Sequence, residues 1–323
     1  MNRKTKKPLL EIENLNVILK KRNAQFKALD NLSFKVFPGE ILGLVGESGA
    51  GKSITGSAIL GLIESPLFIS GGKISYEGQR IEQNASSFRG SKISMIFQDP
   101  LVSLNPLRSI GEQLIQTIRT HISISRIEAM EYAKYLLEEV GIDKERFDAY
   151  PHTFSGGMRQ RVVIALALAP KPSLVIADEP TTALDVSIQA QILELLKRLC
   201  RERKTSIILI THDMGVIAET TDRVAVLYSG RLVEVGGTFE VLNNPQHPYT
   251  KGLIYATPRI DPNLLNSKLY QIPGVMPDLS EIPDGCPFHK RCPEQTKKCL
   301  EKKPPLLNEK AACWLLDSES GKT

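Results

Sequence analysis

Short apolar runs broken by polar and turn residues mark out the first third of the chain. Leu9-Leu10-Glu11-Ile12, Val17-Ile18-Leu19 and Leu32-Ser33-Phe34-Lys35-Val36 read as strands, and the polar stretch 20–27 between them reads as a loop. Pro38-Gly39-Glu40 is a turn delivering the chain into the apolar run Ile41-Leu42-Gly43-Leu44-Val45, which predicts a buried strand. A helix-compatible run follows over 53–62. Gly71-Gly72 and Gly78 bracket a short strand over 73–76, and 93–97 is another strand, ending at Gln98-Asp99-Pro100.

The pattern then becomes mostly helical. A helix is predicted over 110–121. Ser125-Arg126-Ile127-Glu128 matches a capping box, after which Ile127, Met130, Ala133, Leu137 and Val140 share one face and Gly141 can close the helix. Residues of about 99–160 therefore read as a helical insertion. Strand character returns in Leu174-Val175-Ile176-Ala177, which ends in Asp178-Glu179. The next helix has Ile188, Ile192, Leu195, Leu196 and Leu199 on its inner face and ends at Cys200. A strand over 206–210 runs into Thr211-His212-Asp213, and the strands 224–228 and 231–235 flank a Ser229-Gly230 turn, a hairpin signal. From Pro245 onward prolines become too dense for one regular element, which places a boundary near 258 and leaves 258–323 as a small Cys/Pro-rich extension. The class is α/β.

Composition changes this picture little. The chain has 41% hydrophobic and 24% charged residues, as in ordinary globular proteins. Its net charge of +5 is too mild to indicate nucleic acid as a partner. Part of that charge lies in Arg3, Lys4, Lys6 and Lys7, which read as a solvated basic tail over 1–8. No apolar run approaches the roughly 20 residues needed to span a bilayer, and no apolar segment follows the basic N-terminus as in a signal peptide. The expectation is a cytoplasmic protein that reaches a membrane only through a partner.

Chemistry enters with Gly46-Glu47-Ser48-Gly49-Ala50-Gly51-Lys52-Ser53, a G-x-x-x-x-G-K-[ST] phosphate-binding loop between a strand and a helix. Its backbone N–H groups can hold phosphate oxygens, Lys52 can reach the β- and γ-phosphates, and the Ser53 hydroxyl can ligate Mg²⁺. Asp178, ending a buried strand, can hold Mg²⁺ opposite Ser53, and Glu179 can polarise an attacking water. Gln98 and His212 also follow strands. The Gln98 amide can reach Mg²⁺ or the water, and the His212 imidazole can contact a γ-phosphate. Phe154-Ser155-Gly156-Gly157-Met158-Arg159-Gln160 precedes a helix whose open N-terminus makes a second anion site. One loop and one separate cradle in the same chain invite a dimer in which each protomer's cradle closes over the other's loop.

In this order, the phosphate loop, Gln98, Ser155-Gly156-Gly157, Asp178-Glu179, Ala183-Leu184-Asp185 and His212 resemble the motifs of an ABC-type ATPase over about 9–257. The resemblance implies a P-loop fold of ABC type, with a mixed sheet core, an N-terminal antiparallel β subdomain and a helical subdomain. It also implies Walker A, Q-loop, signature, Walker B, D-loop (Asp185) and H-loop roles for these motifs. Two ATP molecules, each with Mg²⁺, would be sandwiched in a head-to-tail dimer. The usual L-S-G-G-Q signature is altered at its outer positions to Phe154 and Met158, but the Ser and both Gly are kept. The variant F-S-G-G-M-R-Q-R is similar to the peptide-importer branch. ABC ATPases usually stack adenine on an aromatic well before Walker A. The aromatic available here is Phe26, which either stacks the base or is an ordinary strand residue.

Cys286, Cys292, Cys299 and Cys313 are spaced C-x5-C-x6-C-x13-C. Four thiolates suit a soft metal, yet the spacing is neither that of zinc fingers nor that of common ferredoxins. The segment Gly285-Cys286-Pro287-Phe288-His289-Lys290-Arg291-Cys292-Pro293, with Ala312-Cys313-Trp314 and Asn244-Pro245-Gln246-His247-Pro248-Tyr249-Thr250, resembles the C-terminal region of oligopeptide/dipeptide importer ATPases. That resemblance implies a [4Fe–4S] cluster on the four cysteines. It further implies two membrane permease subunits, a second ATP-binding subunit (a related paralogue or a second copy) and an extracytoplasmic peptide-binding protein as partners. Rival readings are the same machine carrying nickel, metal chelates or glutathione, and, more distantly, a soluble ABC ATPase acting on DNA or ribosomes.

Overall fold

A computed structural model describes residues 7–317 except 23, 83, 183 and 258–269. Arg3, Lys4 and Lys6 of the basic tail, Ala183, and the boundary placed near 258 lie outside the described residues. Along the chain run β1 (Leu10–Lys21), β2 (Ala24–Val36), β3 (Ile41–Val45), α1 (Lys52–Ile59), β4 (Leu67–Tyr76), β5 (Gln79–Arg80), β6 (Ile93–Ile96) and α2 (Pro100–Ser103). They are followed by α3 (Ile110–His121), α4 (Arg126–Glu139), α5 (Gly156–Leu168), β7 (Leu174–Asp178), α6 (Val186–Arg203), β8 (Ser206–Thr211) and α7 (Met214–Thr220). The last elements are β9 (Arg223–Tyr228), β10 (Arg231–Gly237), α8 (Thr238–Asn243), α9 (Pro248–Ala256) and α10 (Lys297–Glu301). Described residues within Met1–Phe37, Ile41–Gln83 and Ile210–Thr323 form one compact unit, and those within Pro38–Glu40 and Asn84–Leu209 a second.

The first unit contains an antiparallel sheet in the order β2-β1-β4-β5. Its apolar pairs, Ile12 opposite Phe34 and Ile74, set the register. The segment 20–27, expected as a loop, is largely strand: Lys20 faces Gln25, Lys21 faces Ala24, and the turn passes through Arg22 at φ 47°. Backbone pairing carries the ladder past the last buried side chain, so polarity there marks solvent exposure and not the end of the strand. Gly71-Gly72, expected as a strand boundary, lies inside β4. A Cβ at Gly72 (φ 97°) would come 2.5 Å from the Asn14 carbonyl oxygen, so the pair marks an irregularity within the strand.

In the same unit β3 runs parallel to β9, which forms an antiparallel hairpin with β10. The hairpin turns at Ser229 (φ 45°) and Gly230 (φ 75°), the two left-handed residues of the turn that suits strand twist. One apolar core joins Val45 of β3, Val224, Val226 and Tyr228 of β9, Met214 and Ile217 of α7, Tyr249 and Ile254 of α9, and Cys286, Phe288 and Cys299. The proline-rich C-terminal region therefore packs directly against the strand that feeds the phosphate loop.

The second unit has strands in the order β8-β7-β6, with β6 parallel to β7 and every residue of β7 buried. α3 is capped by Ser109, and α4 by Ser125 with both bonds of the capping box formed to Glu128. The buried face of α4 is Ala129, Ala133, Leu136 and Leu137, whereas Ile127 is 72% exposed. Of the expected face Ala133, Leu137 and Val140 are buried and Met130 is half-buried; Ala129 and Leu136 join them, which rotates the inner face away from Ile127. α6 runs beyond Cys200, which is buried, to Arg203. Arg203 holds the end of the helix by an ion pair with Glu139 and a bond to the Leu168 carbonyl at 3.1 Å.

Candidate nucleotide site

The first unit carries the phosphate loop. β3 ends at Val45, and Gly46 follows where a Cβ would stand 2.3 Å from the Leu227 carbonyl oxygen, so no other residue fits there. Gly51 (φ 97°) opens α1 without a side-chain cap, leaving the first helical N–H groups directed into the loop. The Lys52 ammonium folds back along the loop, donating to the carbonyls of Gly46 at 2.7 Å and Glu47 at 3.0 Å. Ser53, next in the helix, is exposed, and so is His212 at the end of β8. Asp213 beside it caps α7, accepting from Gly215 N–H at 2.7 Å. The hairpin turn supports the loop from behind, with Gly230 N–H donating to the Ala50 carbonyl at 3.0 Å. Phe26 is half-buried on β2 opposite Leu19.

The second unit carries the carboxylates. Asp178 ends β7 and is 7% exposed. Glu179, immediately after it, adopts φ 44°, an uncommon conformation for a residue with a side chain and one that concentrates at functional positions. Its Oε2 accepts two hydrogen bonds, from Gln98 Nε2 at 3.1 Å and from the Thr182 hydroxyl at 2.9 Å. The structure thus brings Gln98 and Glu179 together and adds Thr182, which sequence reasoning missed because a Thr three residues past an acidic pair carries no signal of its own. Asp185 caps α6 through Ile188 N–H at 2.9 Å. Ser155 caps α5 through Met158 N–H at 3.3 Å. Ser155 and Gly156 are exposed, and a Cβ on Gly157 would come 2.6 Å from Ile188 Cγ2. Met158, in place of the usual Gln, has its sulfur 3.9 Å from Arg146, which also lies over the Phe154 ring.

Cys286, Cys299 and Cys313 are buried and Cys292 is partly so; all are free thiols. Burial pushes Cys286 up to about 12 and Cys292 up to about 11, and the neighbouring thiols add to the shift. Cys286 and Cys299 share the apolar core described above, and Cys292 packs against it. Among the described residues, however, no group of three or more His, Cys, Asp or Glu is placed to hold a metal ion, so the metal-binding expectation finds no support here.

Sequence reasoning also missed how the loop is held. Glu47 N–H donates to the Tyr249 hydroxyl at 2.9 Å, and the Glu47 carboxylate pairs with Arg291 at 3.0 Å. Both partners lie in segments whose resemblance to importer ATPases was legible, but only the fold shows what they touch.

An open phosphate loop, a strand-end acidic pair and a capped glycine cradle define a nucleotide-binding protein of the P-loop class. A family model described as ABC transporter matches residues 29–182, and one described as oligopeptide/dipeptide transporter, C-terminal region, matches 233–299. The oligopeptide transport ATP-binding protein AppD of Bacillus subtilis is 44% identical over 96% of this chain and 98% of its own length. The oligopeptide transport ATP-binding protein OppD of Salmonella typhimurium is 46% identical over 92% of this chain and 90% of its own. The chain belongs to the ABC transporter family of ATP-binding proteins. Among solved structures, the dimeric post-hydrolysis state of the ATP-binding cassette MJ0796 bound to ADP and Pi matches with a TM-score of 0.63 and 26% identity, covering 71% of this chain and 98% of that one. The cbiO1 structure from Clostridium perfringens, part of the transporter complex cbiONQ, matches with a TM-score of 0.65 and 27% identity over 73% of this chain and 91% of that one.

Proposed function

We propose that this chain is the ATP-binding subunit of an ABC importer for oligopeptides or dipeptides, hydrolysing ATP to ADP and phosphate to drive transport through a permease. The observation that carries the enzymatic part is Glu179, left-handed at the end of a buried strand with its carboxylate held by Gln98 and Thr182, in a chain that also has an open phosphate loop. The peptide cargo rests on the relatives and on the match to the oligopeptide/dipeptide transporter C-terminal region.

In this reading Lys52 and the N–H groups of 46–53 hold the phosphates, and Phe26 stacks the adenine. Ser53, Gln98 and Asp178 would hold Mg²⁺, which would neutralise phosphate charge. Glu179 orients and polarises the attacking water, and His212 contacts the γ-phosphate. Ser155, Gly156, Gly157 and Met158 belong to the site of a neighbouring subunit, with Asp185 at the junction. The nucleotide domain spans about 9–257, with its helical subdomain over about 99–160, and the importer extension spans 258–323. Closure around ATP does work on a partner only through the difference in ATP affinity between closed and open states.

Among the described residues no helix is long and apolar enough to cross a membrane. A peripheral position at the cytoplasmic membrane face, through two permease subunits, fits that composition. A second ATP-binding subunit and an extracytoplasmic peptide-binding protein complete the machine. Tagged chain extracted from membranes in mild detergent is expected to bring down an integral permease pair and to hydrolyse ATP. Purification alone, without a permease, argues against the transporter reading.

A finer proposal is a [4Fe–4S] cluster on Cys286, Cys292, Cys299 and Cys313. The donor set fits in type and number, and the resemblance of this region to the oligopeptide/dipeptide transporter C-terminal region supports the proposal. Anaerobically purified protein should absorb near ~400 nm and contain iron; colourless, iron-free protein argues against it.

A further inference from the structure

Glu47 is the second residue of the phosphate loop, where a carboxylate opposes anion binding. Its Oε1 is buried without a hydrogen-bond partner among the described residues. Its Oε2 lies 3.0 Å from Arg291, and the Arg291 side chain is only 7% exposed. Arg291 is itself fixed. Its Nε donates to the Pro273 carbonyl at 2.8 Å, and its guanidinium lies over the rings of Tyr228 and Phe288. The same C-terminal segment follows the loop further, since a Cβ on Gly49 would meet Met276 Sδ at 3.7 Å. Tyr249 takes the Glu47 N–H, so both the backbone and the charge of Glu47 are governed by residues C-terminal to β10.

We propose that Arg291 is a positioning residue for the nucleotide site. It cancels the Glu47 charge and fixes the Glu47 side chain, so the cysteine-rich C-terminal region supplies a charge on which phosphate binding depends. Without Arg291 a partly buried carboxylate is left uncompensated on the loop that must receive phosphate. This inference rests on the nucleotide reading above.

The test uses the full chain and measures the ATP dissociation constant by equilibrium binding, together with KM and kcat. Arg291→Gln is expected to weaken ATP binding by about tenfold, with the loss falling on KM more than on kcat. The double variant Arg291→Gln/Glu47→Gln should recover to within about threefold of the wild type, because the offending charge is gone. A simple loss of packing at Arg291 would not be rescued in this way. Unchanged binding by Arg291→Gln, or a double variant as weak as the single one, overturns the proposal. Should Arg291→Gln fail to fold, Glu47→Gln decides. It leaves the Arg291 charge uncompensated beside the loop, so tighter ATP binding supports the proposal and equal or weaker binding overturns it. A wild-type chain that binds no ATP overturns the nucleotide reading instead.

Discussion

Gln98 donates a hydrogen bond to Glu179 at 3.1 Å, joining the second residue after β6 to the first residue after β7. With Thr182 on the same oxygen at 2.9 Å, this aims a carboxylate whose backbone already sits in a sparsely populated region. Such over-determination fits a side chain that must orient water rather than merely face it. Glu179→Gln keeps the shape and removes the charge. It should retain ATP binding and lose about 10²–10⁴ in turnover. A phosphate-release assay beside an ATP-binding titration checks this; surviving turnover would remove the water-activating role.

Ser155 and Gly156 at the start of α5 are exposed, as the proposed contact with a neighbouring subunit's nucleotide requires. Ser155→Arg puts a long side chain at the proposed contact and leaves the residues of the phosphate loop unchanged. It should leave ATP binding by the monomer near wild type and abolish ATP-dependent dimerisation, as read by sizing chromatography in the Glu179→Gln background, where ATP persists. Dimers that still form would show that the glycine cradle does not close over a neighbour's nucleotide.

The ATP motifs and most of the fold were legible because their signals are local. The phosphate loop needs its glycines within eight consecutive positions, α3 and α4 announce their caps, and β7 is an unbroken apolar run. What escaped depends on partners distant in sequence. The strand residues on either side of the turn, Lys20-Lys21 and 24–27, are held by pairing and not by burial, and Ala129 and Leu136 take a place on the inner face of α4 that Ile127 does not. Glu47 lies 244 positions from Arg291, and no periodicity links them. The four cysteines were legible as a set, while the way their region grips the phosphate loop was not.

Asp30 joins distant segments through charge. Buried on β2, it pairs with Lys27 at 2.7 Å, Arg231 at 2.8 Å and Lys303 at 2.9 Å. Burial alone would raise its pKa, but the hydrogen bonds from these cations outweigh it and hold the carboxyl well below the usual range. Because the folded value is depressed, the unfolded chain binds the proton more readily. The stabilisation is therefore present above about pH 4 and is lost as pH falls below it. Asp30→Asn strands three cations and should cost about 3 kcal/mol at pH 7. Urea unfolding at pH 7 and pH 3 should show the gap between wild type and variant narrowing at the lower pH; a constant gap would place the effect in packing.

Gly46 tests the geometry of the loop directly. A Cβ there would stand 2.3 Å from the Leu227 carbonyl oxygen and 3.0 Å from Ala50 Cβ, and the first obstacle is backbone on β9. Neither neighbour is the flexible end of a side chain, so Gly46→Ala must displace the loop or the strand behind it. It should cost about 1–3 kcal/mol in unfolding free energy and weaken ATP binding far more than that stability loss predicts, because the loop's N–H groups lose alignment. Denaturant unfolding and nucleotide titration on the same preparation separate the two effects, and a stable variant with wild-type affinity would show that the loop tolerates the shift.

The cysteine region makes a prediction that runs the other way in pH. In the metal-free chain burial, reinforced by the neighbouring thiols, pushes Cys286 up to about 12 and Cys292 up to about 11. The reactive species is the thiolate, and a free cysteine ionises near ~8.5. At pH 8 these two thiols should therefore alkylate at least about a hundredfold more slowly than a free cysteine, and speed up on unfolding. Raised folded values also mean that the neutral thiols stabilise the fold below about pH 8.5 and that this contribution is lost as pH rises toward 11 and 12. Iodoacetamide labelling with peptide mapping reads each cysteine separately. Rapid labelling of Cys286 in folded, reduced, metal-free protein would mean that the region opens, and with it the Phe288–Tyr249 packing behind the phosphate loop. In that event ATP binding by the metal-free chain should weaken as well, since Tyr249 and Arg291 are the groups that hold Glu47.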